Sequence, residues 1–312
     1  MSHIWNIAVS DSWVVDENKT ESGHGEAKLY VGSRDDSSYR EFFGSTGFSI
    51  ECKLKKSDLL NLHTSLQNEY FYPTFNYRAI SELKRLYESR IKAIENILDE
   101  DNYLILNEQS HLKPPRAYVN SDSYLYRLLR EISLPGITYL KIIRENESSI
   151  SEFSLKVIAD NTQVELSNLL GKVTDLDPGY SKSLFVDEIH SLKRLRKSLL
   201  SNFRLQCPFL LVKDINLLKI CFFDPSLSVS NGLHSHENSL VLSSAYSELF
   251  NLGYITFDSD WNLIVSKFVD ENVIENLGLI EGMPLEVLRK GHGTDRKRLD
   301  LLAKHRDSVF LG

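Results

Sequence analysis

Short apolar runs and polar breaks alternate over the first 55 residues of the chain. Four of these runs are rich in aromatic or β-branched residues, and Gly, Ser, Asn and Asp separate them, a pattern typical of strands. The four runs are IWNIAVS, SWVVD, AKLYVGS and GFSIECKLK. The pattern predicts that the chain opens with a β-sheet.

A helical period replaces this pattern after residue 56. Ser57 is expected to N-cap a helix over DLLNLHTSL, and apolar residues recur at helical spacing from Ile80 to Leu98. The polar residues 99–123 contain two prolines and predict a loop. The segments that follow predict a helix (SYLYRLLREI), a hairpin (GITYLKIIRE with ISEFSLKVIA) and a helix (QVELSNLLGKV).

The segment DLDPGYSKS, residues 175–183, predicts a domain boundary because Pro, Gly and small polar residues interrupt the pattern there. We therefore expect an N-terminal α+β domain over residues 1–180 and a second α+β domain over 181–312. The second domain is predicted to contain, in order, a helix from Val186 to Phe203, strands PFLLV and LLKICFF, a helix SLVLSSAYSELFNLG, a hairpin of YITFD and NLIVSKF, and a helix DRKRLDLLAKHRDSVF.

Composition is that of a globular protein, with 42% hydrophobic and 25% charged residues in 312. The chain has no apolar stretch of spanning length and does not begin like a signal peptide, so we expect a cytoplasmic protein without a membrane partner. The net charge of −7 argues against a general nucleic-acid coat. Residues 186–312 carry a net charge of −1 and residues 1–185 carry −6, so the C-terminal part is the better candidate for phosphate contact.

Three C-terminal segments occur in the order and spacing of a known family. They are RLRKSLLSNFRLQC, NSLVLSSAYSELFNLGYITFD and KHRDSVF. With them, residues 186–312 resemble the HNH endonuclease domains of bacterial restriction and defence proteins. The resemblance implies a ββα-metal core, in which a His activates water and one divalent cation stabilises charge on the scissile phosphate.

The positions that carry this chemistry in the family are changed here. The first His falls at Phe222, the later His at Tyr246 and the metal-binding Asp at Asn251, whereas the middle Asn is kept as Asn238. Phe222 has no group that accepts a proton or binds a metal, so we expect no metal cofactor. The alternative is a relocated Mg²⁺ or Mn²⁺ site. Its candidate ligands are Asp224, His234 and His236, which otherwise are ordinary polar loop residues.

Basic residues cluster on the first and last helices of the second domain. They are candidates for contact with a DNA backbone, and the alternative is that they form solvated helix faces. The seven residues are Lys193, Arg194, Arg196, Lys197, Arg296, Lys297 and Arg298.

A second nuclease-like motif lies near the N-terminus. Glu51 and Lys53 alternate on one predicted strand, with Asp36 about 15 residues earlier. The motif resembles the core of PD-(D/E)xK nucleases, which implies that the carboxylates hold Mg²⁺ and the Lys positions water. The alternative is a solvent-facing strand that follows a turn.

These patterns leave three functions open. The leading hypothesis is a degenerate HNH-like protein that acts as a DNA-binding or partner-binding component of a bacterial restriction or anti-phage defence system. The second is an active metal-dependent DNA endonuclease that uses relocated HNH ligands or the Glu51 strand. The third is a structural subunit whose HNH-like domain forms a homo-oligomer or complex interface. Metal-dependent cleavage distinguishes the second, and salt-dependent DNA affinity distinguishes the first from the third.

Overall fold

The computed structural model describes residues 2–20, 27–44, 46–109, 115–146, 151–176, 182–227, 231–285 and 295–312. The structure is mixed α+β, as the sequence predicts. It divides into two compact units, Met1–Ile189 and His190–Gly312. The division falls inside a helix rather than within 175–183, of which residues 177–181 lie outside the described part.

A seven-stranded sheet forms the framework of the first unit. Its strands are β1 Ser2–Ala8, β2 Leu29–Ser33, β3 Ser49–Lys55, β4 Asp101–Glu108, β5 Arg116–Asn120, β6 Thr138–Asn146 and β7 Ser151–Ala159. Their spatial order is β1-β6-β7-β3-β4-β5-β2. Neighbouring strands are antiparallel except β3 and β7, which are parallel. Along β3 the exposed and buried positions alternate, so at this strand one face of the sheet meets the core and the other meets solvent.

The described ranges of the first unit contain these helices before the one in which the unit ends. They are α1 Ser37–Phe43, α2 Lys56–Ser65, α3 Gln67–Phe71, α4 Leu83–Glu95, α5 Tyr124–Ile132 and α6 Asn161–Leu176. The N-cap of α2 is Lys55, not Ser57. The predicted strand SWVVD is instead a turn, closed by the Trp13 amide donating to the Ser10 carbonyl at 3.1 Å, and a short 3₁₀ helix, Asp16–Asn18, follows it.

The prediction of a loop over residues 99–123 is wrong, because this segment contains β4 and β5. In β4 the side chains of Leu104 and Leu106 are buried while their neighbours are exposed. The strand itself is rich in apolar residues, since Tyr103 and Ile105 occupy exposed positions, but the polar residues and the two prolines elsewhere in 99–123 dominated the composition of the segment.

The second unit begins in α7, Lys182–Asn202, and its further elements are β8 Leu218–Phe222, β9 Ser239–Ser243, α8 Ser244–Asn251, β10 Ile255–Phe257, β11 Leu263–Val265, α9 Glu271–Leu277 and α10 Arg296–Ser308. The strands β8 and β9 form one antiparallel pair, and β10 and β11 form another. No helix in the described ranges combines the length and apolarity that crossing a membrane requires.

Two predictions for the second unit are wrong. The segment PFLLV is not a strand, because Leu211 has a left-handed backbone with φ of 52°. The predicted helix from Ser239 begins instead as strand β9, all five residues of which are buried. A continuous apolar run of this length does not distinguish a buried strand from a helix.

Candidate functional site

Asn238 joins the two ends of the long connection between β8 and β9. Its side chain is buried, and its Oδ1 accepts a hydrogen bond from the Asp224 amide at 2.9 Å. Its Nδ2 donates to the carbonyls of Asp224 at 3.0 Å and Leu233 at 3.2 Å. The Phe223 amide donates to the Asn238 carbonyl at 3.0 Å. These bonds hold the end of β8 against the start of β9. The helix α8 follows directly after β9.

Phe222 is the last residue of β8, where this connection starts, and Tyr246 lies on α8, the helix that follows β9. Phe222 is partly exposed, and its ring centroid lies 5.9 Å from that of His234. Tyr246 is fully buried, its hydroxyl donates to the Leu277 carbonyl at 2.8 Å, and burial raises its pKa to about 12. Asn251 is exposed at the end of α8. Neither Phe222 nor Tyr246 therefore supplies a general base at neutral pH.

The alternative metal ligands have other partners. Asp224 Oδ1 accepts from the amide and hydroxyl of Ser226, and the bond from this hydroxyl lowers the pKa of Asp224. Its Oδ2 lies 3.7 Å from Lys304 Nζ. His236 Nδ1 lies 3.4 Å from Asn202 Nδ2. Within the described ranges, no three His, Cys, Asp or Glu residues are grouped to hold a metal ion, so Asp224, His234 and His236 are not assembled into a ligand set.

Two basic residues that were predicted to face DNA from α7 are fully buried, namely Lys193 and Arg196. The Arg196 guanidinium donates to the carbonyls of Leu218 at 2.8 Å and Ile215 at 3.0 Å. The prediction that this pair contacts DNA is wrong. Residues 193, 196 and 200 recur at helical spacing, so both side chains share the face that buries Leu200.

Arg298 on α10 is the third predicted DNA contact that the structure contradicts. It is 3% exposed, and it donates to the carbonyls of His236 at 2.8 Å and Ser239 at 2.6 Å. Its guanidinium carbon also lies 5.5 Å from the ring centroids of Phe223 and Trp261. Burial lowers its pKa to about 10, so it remains charged at neutral pH. Arg298 thus braces the end of the β8–β9 connection instead of facing solvent.

Four predicted basic residues remain at the surface. Arg194, Arg296 and Lys297 are exposed, and Lys197 is partly exposed. Arg296 and Lys297 form the first turn of α10, after the N-cap residue Asp295. These four side chains are accessible to solvent, so for them contact with DNA stays a prediction.

Three exposed basic residues of α10, Arg296, Lys297 and Lys304, form what we call the basic edge. Two of them lie close to the β8–β9 connection. Lys297 Nζ is 3.9 Å from the position that a Cβ atom would take on Gly232, and Lys304 Nζ is 3.7 Å from Asp224 Oδ2. Lys297 and Lys304 are seven residues apart and share one helix face. Sequence reasoning missed Lys304, although this spacing was visible.

The nuclease-like motif of the first unit lies on the solvent face of β3. Glu51 is exposed, and Lys53 Nζ pairs with Asp101 Oδ2 at 2.6 Å. Asp36 caps α1 by accepting from the Ser38 amide at 2.9 Å. Glu51 and Lys53 therefore share one strand, whereas Asp36 belongs to the start of α1 and its carboxylate is bonded to the helix backbone.

A cavity in the first unit corresponds to none of the sequence motifs. Its volume is about 630 Å³, and the residues around it include Arg90, Arg127 and Arg130. Arg127 and Arg130 are three residues apart on α5, which places them on one helix face. That spacing was the available signal, but Arg90 comes from α4 and only the fold brings it to the same cavity.

Comparison with known proteins returned no match, either among protein-family models or among curated proteins. Function is therefore inferred from the sites themselves. The features that bear on it are the Asn238 hydrogen bonds, the residues at positions 222, 246 and 251, the basic edge and the arginine-lined cavity.

Proposed function

We propose that residues 190–312 form a degenerate HNH-like domain that binds DNA without cleaving it. The observation that carries the proposal is the geometry around Asn238. An antiparallel strand pair leads directly into a helix, and a buried Asn ties the ends of the connection between the strands. This is the arrangement that resemblance to an HNH ββα core implies. The setting, a bacterial restriction or anti-phage defence system, comes from the resemblance alone.

Binding without cleavage is favoured by the groups at the reactive positions. Metal-assisted hydrolysis of a phosphodiester needs an activated water and a cation that offsets the developing charge. Phe222 does not accept a proton, and Asn251 brings no anionic oxygen to a metal. The buried hydroxyl of Tyr246 stays protonated and is bonded to a backbone carbonyl. In this proposal the domain keeps the ββα fold but lacks a general base and a metal ligand.

The basic edge supports DNA as the ligand. Its three positive groups lie on a single helix, and two of them stand beside the β8–β9 connection. Phosphate contacts by Lys and Arg release counterions, so they contribute affinity that is independent of sequence and falls with salt. We expect weak binding that discriminates little between DNA sequences.

Fluorescence anisotropy with a short DNA duplex across a salt series tests the proposal. The Arg296→Gln/Lys297→Gln double variant should bind more weakly on every sequence. The slope of log affinity against log salt should fall by about one unit for each phosphate group that the variant no longer neutralises. Lys267→Gln is the matched control, since this exposed lysine of the same unit lies outside the basic edge.

Two results would count against the proposal. Equal affinities for the double variant and the Lys267→Gln control would exclude the basic edge as the contact surface. Absence of wild-type binding at low salt would exclude DNA as the ligand and favour an interaction subunit instead.

A further inference from the structure

The arginine-lined cavity of the first unit lies between α4, α5 and the 3₁₀ helix Asp16–Asn18. Arg90 comes from α4, and Arg127 and Arg130 come from α5. Apolar side chains, Val15, Leu86 and Ala93, complete part of the wall. Its volume of about 630 Å³ falls within the range of roughly 300–1,000 Å³ that is usual for small-molecule sites.

Arg90 is held in place at the wall of this cavity. It is 5% exposed, and its Nη1 donates to Asn18 Oδ1 at 2.8 Å and to the Tyr70 hydroxyl at 3.0 Å. Both acceptors are anchored in turn, since they donate to backbone carbonyls of residues 131–133 at the end of α5. One side of the guanidinium is therefore fixed before any ligand arrives, which reduces the entropy lost on binding.

Positive charge exceeds negative charge around the cavity. Three arginines and two glutamates line it, and Arg127 pairs with Glu131 at 3.0 Å. Within the described ranges, neither Arg90 nor Arg130 forms an ion pair, and the polar partners of Arg90 are neutral. Arg130 Nε donates to the Trp13 carbonyl at 2.7 Å. A buried cation without a carboxylate partner is costly, and a bound anion would offset that cost.

We propose that this cavity binds a phosphorylated small molecule of mononucleotide size. The planar guanidinium groups of Arg90 and Arg130 suit the oxygens of a phosphate, which they bind through charge-assisted hydrogen bonds. The cavity is far larger than a phosphate ion, and its apolar wall offers a surface for the organic part of the ligand. This site belongs to the first unit, so it is independent of the DNA-binding proposal and either can fail alone.

Calorimetric titration of the full chain with inorganic phosphate and with AMP tests the site. We expect AMP to bind more tightly than phosphate, because only AMP reaches the apolar wall. Arg130→Gln should weaken the binding of both probes at least about tenfold, as expected for the loss of a charge-assisted hydrogen bond. The control is Arg85→Gln, which removes an exposed arginine of α4 outside the cavity and should change neither affinity.

A second variant separates loss of the site from loss of the fold. Ala93→Leu keeps all three arginines but narrows the cavity, so it should weaken AMP more than phosphate while the thermal unfolding midpoint stays at the wild-type value. Dissociation constants above about 1 mM for both probes would overturn the proposal. Equal affinity of wild type and Arg130→Gln would overturn it as well. Equal affinities of the wild type for phosphate and AMP would overturn the inferred organic part of the ligand.

Discussion

Replacing Asn238 by Ala should loosen the connection between β8 and β9. The change removes three side-chain hydrogen bonds, two to Asp224 at 2.9 and 3.0 Å and one to Leu233 at 3.2 Å. Each neutral hydrogen bond contributes about 1 kcal/mol, so the expected loss in the free energy of unfolding of this region is about 3 kcal/mol.

Amide hydrogen exchange of the full chain, followed by mass spectrometry, measures this loss locally. The peptides to compare contain Phe223 and Asp224, whose amides donate to Asn238. When closing is faster than exchange, a loss of about 3 kcal/mol accelerates exchange roughly 100-fold. The matched control is Asn251→Ala, at an exposed position, which should change stability by less than about 0.5 kcal/mol. Equal exchange in the two variants would refute the structural role assigned to Asn238.

Three further predictions concern buried charged or titrating groups. Glu108→Gln should cost about 3–5 kcal/mol in urea denaturation, because it leaves Arg34 buried without the carboxylate that it contacts at 2.7 Å. Burial lowers the pKa of His305 to about 4, so folding favours the neutral ring. The wild type should therefore lose stability as the pH falls from about 6.5 to about 4. Denaturation of His305→Gln at pH 7 and pH 5 should show a smaller loss of stability between the two pH values. Arg196→Ala should lower the thermal midpoint because two backbone carbonyls lose their donor, whereas Arg194→Ala should not.

Each of these expectations has a contradicting outcome. If Glu108→Gln is as stable as the wild type, the buried pair of Arg34 and Glu108 does not stabilise the fold. If the stability of His305→Gln depends on pH as that of the wild type does, the pKa of His305 does not differ between the folded and unfolded states. Equal thermal unfolding midpoints for Arg196→Ala and Arg194→Ala would contradict the burial of Arg196.

Local pattern predicted the elements whose two faces differ clearly. β3 and α4 have such patterns and were predicted close to their observed bounds. The β6–β7 hairpin was also predicted, although Thr138–Ile142 of β6 are buried on both faces. β4 was missed because polar residues and prolines dominate the rest of segment 99–123, although the strand itself exposes Tyr103 and Ile105. β9 was mistaken for a helix because both its faces are buried. In these strands tertiary context outweighs the local signal.

Residue identity at positions 222, 246 and 251 carries the prediction that the resemblance to HNH domains lacks its reactive groups, and that prediction stays open. It did not predict where the charged side chains would lie. Lys193, Arg196 and Arg298 have the composition of a DNA-binding surface, but they are buried, and for both arginines backbone carbonyls accept the hydrogen bonds. The cavity required the fold, because its arginines come from two helices about 40 residues apart in the sequence.

Supercoiled plasmid incubated with the full chain at low salt, with Mg²⁺ or Mn²⁺, tests most directly whether the second unit binds DNA without cleaving it. Gel retardation and nicking are measured on the same sample. We predict retarded plasmid without nicking, since loss of a general base costs about 10² to 10⁴ in rate and the missing metal ligand adds to this. Metal-dependent nicking that persists in Glu51→Ala and Lys53→Ala, or plasmid that is not retarded at low salt, would contradict the account.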